Sequence, residues 1–354
     1  MGGTAAIVGG GIGGLATAIG LRQAGWDVTV FEREAGPSGS GTALGIWPSA
    51  TRALDALGLG DHLRRTGTRQ NAGQFRRPNG SRIGALDVRK LERRSGDPVY
   101  LVSRPALVSM LRAAVGEETV RFASPVDGIA ALRQHYDVVV GADGIASRAR
   151  AELFGDGYRA RYTGSTAWRG WVDGMATDTV TETWGRGSKF GLTPQEGGRT
   201  NWYATTRVPE ASFTPGAELA TLRRMFGAWP EPIPQILDRL TETDILRHDL
   251  YVVPKLPTFV RQNVALVGDA AHAMTPDLGR GACEALIDAV TLAQSLRDAP
   301  NTSAGLLGYD RKRRRAVQRL GSASSAAAGL TRWRGGLWLR DALLRVSLRL
   351  PMAD

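Results

Sequence analysis

Apolar residues along the chain fall into two kinds of run, short continuous runs and longer runs with helical spacing. Residues 4–8 form a short run, residues 9–14 are rich in glycine, and residues 15–24 carry helical spacing. A second short run at residues 27–31 is closed by Glu32. Strands that are buried on both faces have such continuous apolar runs, so this order predicts a βαβ unit with parallel strands.

Two later runs, at residues 137–141 and 263–267, are also short and apolar, and each leads into a glycine and an aspartate. Residues 159–253 differ, because Trp, Tyr, Thr and Gly recur there in alternating runs around a helical patch at 218–226. Helical spacing returns at 281–297. The pattern predicts an α/β protein with a Rossmann-type domain, a mostly antiparallel β-sheet domain and C-terminal helices.

Composition narrows the class of protein. The 354 residues are 42% hydrophobic and include one cysteine, which excludes a disulfide scaffold and favours a reducing, cytoplasmic location. No uncharged apolar run has the length of a membrane span. Of the net charge of +11, a surplus of eight positive charges lies in residues 301–354. We interpret the basic run at 311–315 as a solvated helix face, so no nucleic-acid partner is expected.

The glycine-rich segment has the chemistry of a dinucleotide site. Gly9, Gly11 and Gly14 have the GxGxxG spacing between a strand and a helix. This spacing permits a tight turn, close approach of the backbone to a pyrophosphate and close packing of the helix on the strand. The helix N-terminus then faces the phosphate charge, and Glu32 is placed to bind ribose hydroxyls. These residues predict dinucleotide binding but do not distinguish NAD from FAD.

Two further motifs decide between the cofactors. Asp143-Gly144 and Gly268-Asp269 follow the two later apolar runs, and together with the first motif they resemble the group A FAD-dependent aromatic hydroxylases, which share the para-hydroxybenzoate hydroxylase fold. Residues 41–48 and 103–107 extend the resemblance, in matching order and spacing, through nearly the whole chain. The flavin loops are most similar to those of urate hydroxylase-like and salicylate hydroxylase-like members.

The resemblance implies FAD contacts drawn from all of these loops. Asp269 matches the acid that binds the ribityl chain, and Arg104 matches an arginine that contacts FAD. Asp143 matches an element that serves both FAD and a transient nicotinamide nucleotide, and its alternative role is to form a local turn. The implied cofactor-binding residues are Gly9, Gly11, Gly14, Glu32, Arg33, Leu44, Gly45, Arg104, Val126, Asp143, Gly144, Asp269, Pro276, Gly279, Gly281 and Ala282.

The resemblance also implies a discontinuous arrangement of domains. We expect a Rossmann-type FAD-binding domain, an antiparallel substrate-binding domain and a C-terminal helical segment. Their expected bounds are residues 1–70, 100–158 and 255–303 for the first, 71–99 and 159–254 for the second, and 304–354 for the third.

The last segment predicts an amphipathic helix over residues 336–350. Asp341, Arg345 and Arg349 are spaced four apart and are expected on its polar side, with leucines on the other side, namely Leu337, Leu344 and Leu348. We interpret the helix as docked on the protein. Weak contact of this basic helix with an anionic membrane surface is the alternative.

Three side chains are candidates for catalysis and substrate contact. Asp277 lies in a loop that, in urate-type members, carries an acid beside the flavin, where it can accept a ring N–H or hydroxyl proton. Its alternative role is a helix N-cap. Arg169 and Arg199 lie where those members contact substrate, and each can bind an acidic or carbonyl-rich ring unless it is a solvated surface charge. Four scattered histidines predict no metal site.

The resemblance implies an FAD-dependent monooxygenase. It would use NADPH or NADH, bound transiently, and O2 to hydroxylate an aromatic or N-heteroaromatic small molecule through a flavin C4a-hydroperoxide. Epoxidation or oxidative rearrangement of a polyene, prenylated or polyketide-derived compound is the alternative within flavin chemistry. A simple NAD-dependent dehydrogenase needs only the first βαβ unit, and the Gly268-Asp269 motif argues against it. The sequence leaves the oligomeric state open.

Overall fold

Three β-sheets organise the chain in a computed structural model, which describes residues 2–36 and 41–348. The strands are β1 (Thr4–Val8), β2 (Asp27–Phe31), β3 (Ala43–Ile46), β4 (Thr68–Arg69), β5 (Ala72–Arg76), β6 (Arg82–Leu86), β7 (Tyr100–Ser103), β8 (Val120–Arg121), β9 (Val138–Gly141), β10 (Arg161–Val172), β11 (Thr179–Trp184), β12 (Ser188–Gln195), β13 (Arg199–Thr206), β14 (Leu246–Val252), β15 (Val260–Arg261) and β16 (Val264–Leu266).

Helices cover both larger sheets and form the C-terminal part of the chain. They are α1 (Ile12–Gln23), α2 (Pro48–Ala56), α3 (Gly60–Thr66), α4 (Val88–Ser95), α5 (Arg104–Val115), α6 (Ala130–His135), α7 (Arg148–Phe154), α8 (Glu218–Phe226), α9 (Ile233–Arg239), α10 (Asp269–His272), α11 (Gly281–Asp298), α12 (Thr302–Thr331) and α13 (Leu337–Ser347). In the described residues, no helix is both long enough and apolar enough to cross a membrane.

The first sheet has the strand order β15-β16-β9-β1-β2-β8, and only the edge strand β15 runs antiparallel to its neighbour. Ile7 of β1 pairs with Val30 and Val140 of its neighbours, and all three side chains are fully buried. α1 packs against α5 and α11. Burial on both faces explains the continuous apolar runs, and the predicted Rossmann-type architecture is confirmed.

The second sheet has the order β14-β10-β13-β12-β11-β5-β6 and is antiparallel except between β5 and β11. Its two faces differ in polarity because side chains alternate along each strand. Phe190, Trp202 and Phe226 form an apolar core with α8 and α9 on one face. The other face carries Lys189 and Tyr203, and it is this face that meets the loops of the first sheet.

A small sheet with the order β3-β7-β4 joins the two larger sheets. The backbone N–H of Ala43 donates to Oδ1 of Asn201 at 3.2 Å, and the N–H of Ser103 donates to Oε2 of Glu196 at 3.1 Å. Side chains at the end of the second sheet therefore satisfy backbone groups of the small sheet. These bonds fix β3, a predicted flavin contact, against the polar face of the second sheet.

The orientation of α13 corrects the predicted amphipathic pattern. Asp341 was expected on the solvated side, but it is 2% exposed and accepts a hydrogen bond from Nε of Arg77 at 2.7 Å. Residues 337, 341, 344 and 348 share one helix face, since they are three or four positions apart. The acid therefore lies on the leucine face and is buried with it. Arg349 and Leu350, part of the same prediction, lie outside the described residues.

Candidate active site

The glycine-rich turn between β1 and α1 is packed tightly at two positions and open at the third. A Cβ on Gly9, where φ is +110°, would lie 2.4 Å from the carbonyl oxygen of Ala142, and one on Gly14 would lie 1.9 Å from the carbonyl oxygen of Gly9. Among the described residues, apart from its neighbours in the chain, no atom lies within 4 Å of a Cβ placed on Gly11. α1 begins without a side-chain cap or an acidic residue, so its free N–H groups face this space.

Glu32 closes the turn from the end of β2. Its Oε2 accepts a hydrogen bond from the N–H of Gly10 at 2.6 Å, and its Oε1 accepts one from the N–H of Glu34 at 2.9 Å. The carboxylate therefore orders the glycine loop as well as being available to a ribose. Arg33 is exposed and paired with Glu34. Val126 packs partly buried against the core of the first sheet.

Asp143 has a local structural role. It accepts hydrogen bonds from Oγ of Ser147 at 2.5 Å and from the N–H groups of Arg148 at 2.7 Å and Ala149 at 3.1 Å. These bonds organise the start of α7, which matches the turn role that the sequence left as the alternative. Gly144 beside it has a φ of +78° and open space at its Cα.

Asp269 and Arg104 converge on the same space from distant parts of the chain. Solvent reaches the Asp269 side chain, but the protein packed around it raises the pKa of the carboxyl by desolvation. The charges of His272, Arg104 and Arg150 oppose that rise. The arrangement suits an acid that accepts hydrogen bonds from sugar alcohols near a positively charged side chain.

α11 presents a second open helix N-terminus. The short 3₁₀ turn Pro276–Leu278 ends at Gly279, whose φ of +61° turns the chain into the helix. α11 begins at Gly281 without a side-chain cap, and in the part of the chain that the structure describes no other segment comes within 4 Å of a Cβ placed there. The predicted contacts Leu44 and Gly45 lie alongside on β3, where Sγ of Cys283 donates to the carbonyl oxygen of Gly45 at 3.1 Å.

A buried ionic network fixes α11 in place behind this opening. Asp288, fully buried, contacts Nε2 of His272 at 2.5 Å and Nε of Arg313 at 2.6 Å. Arg313 also donates to Oε2 of Glu284 at 2.6 Å. The charges of His272 and Arg313 lower the pKa of Asp288 to about 2, although burial alone would raise it. The network ties α10, α11 and α12 together around the N-terminus of α11.

The cradle fits FAD. Two uncapped helix N-termini face open space where Gly11 and Gly281 leave room. Helix N-termini favour negative charge, so they suit the phosphates and the electron-rich ring system of FAD. Glu32 and Asp269 supply carboxylates for the ribose and ribityl hydroxyls.

A cluster of buried polar side chains lies on the polar face of the second sheet, the face that carries Lys189 and Tyr203. Nζ of Lys189 is 3.1 Å from Oε1 of Glu182 and 3.2 Å from Oδ1 of Asp277. Tyr203 donates its hydroxyl proton to the same Glu182 oxygen, and Nε1 of Trp184 donates to Oε2 at 2.6 Å. Asp277 thus connects the turn before α11 to strands β11, β12 and β13.

The ionic states in this cluster are set by its members. Burial would lower the pKa of Lys189, but the carboxylates of Glu182 and Asp277 outweigh burial and raise it. Burial would raise the pKa of Glu182, but the charge of Lys189 and the donated hydrogen bonds lower it. Burial and the Glu182 charge raise the pKa of Tyr203 well above its ordinary value. At neutral pH Lys189 is therefore an ammonium, Glu182 a carboxylate and Tyr203 a neutral phenol.

Strand register explains why the cluster forms. Arg169 of β10, Tyr203 of β13, Gly191 of β12 and Glu182 of β11 occupy one row across the sheet. A Cβ on Gly191 would lie 2.0 Å from the Tyr203 ring, so the glycine lets this ring cross β12 and reach Glu182. Lys189 lies two residues before Gly191 and therefore on the same face.

The two predicted arginines occupy different surroundings. Arg169 lies opposite Tyr203, is partly buried, and among the described residues makes no hydrogen bond or ion pair with an acceptor. Burial lowers the pKa of its guanidinium, and no opposing charge compensates. Arg199 is exposed at the start of β13 and pairs with Asp173 at 2.8 Å. The structure places Asp277 and Arg169 at the polar face of the second sheet and Arg199 at the protein surface.

Asp277 also borders a cleft that opens to solvent. Oγ1 of Thr163 in its wall is buried and has no hydrogen-bond partner among the residues that the structure describes. The wall combines polar and apolar groups and is formed by the second sheet, the turn before α11 and the end of α12. Its residues include Thr163, Ser165, Thr205, Thr275, Thr331 and Arg332.

Comparison with known proteins gives the family. The family model described as FAD binding domain matches residues 3–324. The aurachin C monooxygenase/isomerase of Stigmatella aurantiaca is 32% identical, over 97% of this chain and 94% of its own length. This chain belongs to the group A FAD-dependent hydroxylase family. The FAD-dependent urate hydroxylase of Klebsiella pneumoniae is 29% identical, over 87% and 85% of the two chains. The structure of Klebsiella pneumoniae HpxO with FAD and uric acid has a TM-score of 0.86 at 25% identity, over 98% of this chain and 92% of HpxO.

Membership confirms the predicted family, the fold class and the binding of FAD. The structure adds two charged residues to the surroundings of the candidate Asp277 that the sequence did not single out, Lys189 and Glu182. The available signal was the period-two spacing of Lys189 and Gly191, which places both on one strand face, but strand pairing was needed to bring Glu182 to them.

Proposed function

We propose that this flavoprotein uses NADPH or NADH and O2 to insert one oxygen atom into an electron-rich N-heteroaromatic or aromatic ring. One observation carries the proposal, the buried cluster of Asp277, Lys189 and Glu182 beside the N-terminus of α11. The overall reaction consumes the substrate, one reduced nicotinamide, one proton and one O2, and it releases the oxygenated product, the oxidised nicotinamide and water.

The chain would hold FAD through the glycine turn, Glu32, Asp269 and the N-termini of α1 and α11. When bound, FAD supplies oxygen activation and the transfer of one oxygen atom to the substrate. The protein contributes position, exclusion of water and control of a proton.

Asp277 is the group that takes the substrate proton in this proposal. Its carboxylate is 8% exposed and lies at the edge of the cleft, within reach of a ring N–H or hydroxyl group. Removal of that proton raises electron density in the ring and favours attack on an electrophilic oxygen. Lys189 remains protonated because of its raised pKa, so it orients Asp277 and balances its charge.

Arg169 indicates that the substrate ring carries oxygen atoms that accept hydrogen bonds. An unpartnered guanidinium that is partly desolvated gains strongly from a carbonyl, enolate or carboxylate oxygen, which it can bind through two parallel N–H groups. Lys189 carries one positive charge beside the carboxyl groups of Glu182 and Asp277, and Arg169 adds a second positive charge to the same face of the sheet. A planar ring with both N–H donors and carbonyl oxygens satisfies both sets of groups.

The test is the isosteric variant Asp277→Asn. We expect it to keep FAD, measured by flavin absorbance, and to oxidise NADPH while product formation falls about a hundredfold, because an amide cannot accept the proton. Substrates are found by screening ring compounds for faster NADPH consumption and for a product one oxygen heavier. Asp173→Asn, which alters an exposed carboxylate, is the matched control and should behave as wild type. Unchanged product formation in Asp277→Asn removes this residue from the mechanism.

A second candidate function is epoxidation or oxidative rearrangement of a polyene, prenylated or polyketide-derived compound. The similarity over almost the full length to the aurachin C monooxygenase/isomerase favours it. Hydroxylation and epoxidation each add one oxygen atom, so mass alone does not separate them. NMR of the product does, because hydroxylation replaces a ring C–H, epoxidation replaces a C=C bond, and rearrangement moves a substituent to a neighbouring atom.

A further inference from the structure

The face of α13 that points away from the protein is apolar. Trp338 is 75% exposed, Val346 57%, Leu343 42% and Leu339 39%. At 100° per residue these four side chains fall within one continuous stripe on the helix. Single exposed apolar residues need no explanation, but a contiguous stripe with a tryptophan marks an interaction surface.

Buried polar contacts hold α13 in this orientation. Arg340, 1% exposed, donates to the carbonyl oxygen of Gly185 at 2.5 Å and to Oδ1 of Asp341 at 2.7 Å. Asp341 also pairs with Arg77, and Nε of Arg345 donates to the carbonyl oxygen of Ile83 at 2.9 Å. A rotation that buried the apolar stripe would break this ionic network, at a cost typical of unpaired buried charges. These buried polar contacts therefore keep the apolar stripe on the outer face of α13.

Charge around the stripe selects the partner. Arg334 precedes the helix and is exposed, and Arg345 lies at the edge of the stripe. The only acidic side chain between residues 332 and 348 is Asp341, which is buried and paired. An apolar stripe with a tryptophan and flanking arginines is the composition of helices that lie in the plane of an anionic membrane surface.

We propose that α13 docks this flavoprotein on an anionic lipid surface. Trp338, Leu339, Leu343 and Val346 enter the boundary between headgroups and acyl chains, and Arg334 and Arg345 contact lipid phosphates. The proposal stands apart from the identity of the substrate, since it concerns only the outer face of α13.

The test is sedimentation of the full-length protein, loaded with FAD, with vesicles of phosphatidylcholine alone or with added phosphatidylglycerol. We expect binding to the anionic vesicles, weakening with salt, and at least tenfold weaker binding for Trp338→Ser/Leu343→Ser. Leu307→Ser, which removes a leucine that is 51% exposed on α12, is the matched control and should bind as wild type. Because the replaced side chains are exposed, the thermal midpoint and flavin content should stay unchanged.

Several outcomes overturn the proposal. Wild-type protein that stays in the supernatant with anionic vesicles does so, and so does a double variant that binds as tightly as wild type. If wild type is a dimer in light scattering, the double variant a monomer, and neither binds vesicles, the stripe joins two copies of the chain and the lipid proposal is wrong. Arg334→Gln tests the contribution of positive charge, and we expect it to bind anionic vesicles more weakly than wild type does.

Discussion

The cofactor side and the proposed substrate side of this molecule are built from different parts of the polypeptide. On the cofactor side, backbone groups line most of the cradle, and the motif glycines Gly9, Gly11 and Gly14 form one half of it. On the substrate side, Lys189, Glu182 and Tyr203 come from three strands and Asp277 from a distant turn. A site made of backbone tolerates few changes at its glycines, whereas a site made of side chains changes its specificity one residue at a time.

The largest combined effect, on stability and on FAD binding, is expected at the glycine turn. Gly14→Ala places a Cβ 1.9 Å from the carbonyl oxygen of Gly9, so we expect a loss of about 3 kcal/mol in the free energy of unfolding. The Cβ of Gly11→Ala meets no other described part of the chain within 4 Å, so the fold should keep its stability while FAD affinity falls. Urea unfolding measures the first effect and flavin titration the second. Equal stability of both variants would contradict the tight packing of Gly14.

The cofactor side was predictable for a physical reason. Its strands are buried on both faces and its turns need glycine, so the signals are local and contiguous in sequence. The family, the α/β class and FAD binding followed from them. The local role of Asp143 did not, because an Asp-Gly pair after a strand is equally compatible with a ligand contact and with the hydrogen bonds that Asp143 accepts from Ser147, Arg148 and Ala149.

The next effect lies on the substrate side. Lys189→Met leaves Glu182 and Asp277 as buried carboxylates without their ammonium partner, and we expect a loss of about 4 kcal/mol in unfolding free energy at pH 7. Lys189→Arg keeps the charge and is the matched control, with most of that stability retained. Chemical unfolding at several pH values measures both variants.

The difference in unfolding free energy between Lys189→Met and wild type should depend on pH. In wild type, Glu182 has a lowered pKa and Lys189 a raised one, so their contribution holds between the ordinary values of 4.5 and 10.5. It is lost as the pH falls through the lowered pKa of Glu182 or rises through the raised pKa of Lys189. Without the ammonium, the carboxylates bind protons more readily. The gap between variant and wild type should therefore narrow on acidification, and a gap that widens would refute the ionic assignment.

The substrate side was only partly predictable because its geometry depends on strand register. Asp277 and Arg169 were found from sequence, but the partners of Asp277 were not, since a shift of one residue in pairing would turn Glu182 to the opposite face. The same limit applies to α13. Its residues predicted an amphipathic helix, yet the buried pair of Arg340 and Asp341 turned the leucine face and its acid inward.

The smallest effect on stability, with a clear effect on function, is expected for Arg169→Gln. Arg169 has no acceptor among the described residues, so its removal should leave the unfolding free energy within about 0.5 kcal/mol of wild type. A lost charged hydrogen bond to substrate costs about 1.5–3 kcal/mol, which raises KM roughly tenfold to a hundredfold. Arg199→Gln removes an arginine from the same sheet whose exposed partner is Asp173, and it should leave KM unchanged. Steady-state NADPH oxidation over a range of substrate concentrations separates the two. If both variants share the wild-type KM, the polar face of the second sheet does not contact substrate at Arg169. Substrate recognition must then lie in the cleft that Asp277 borders.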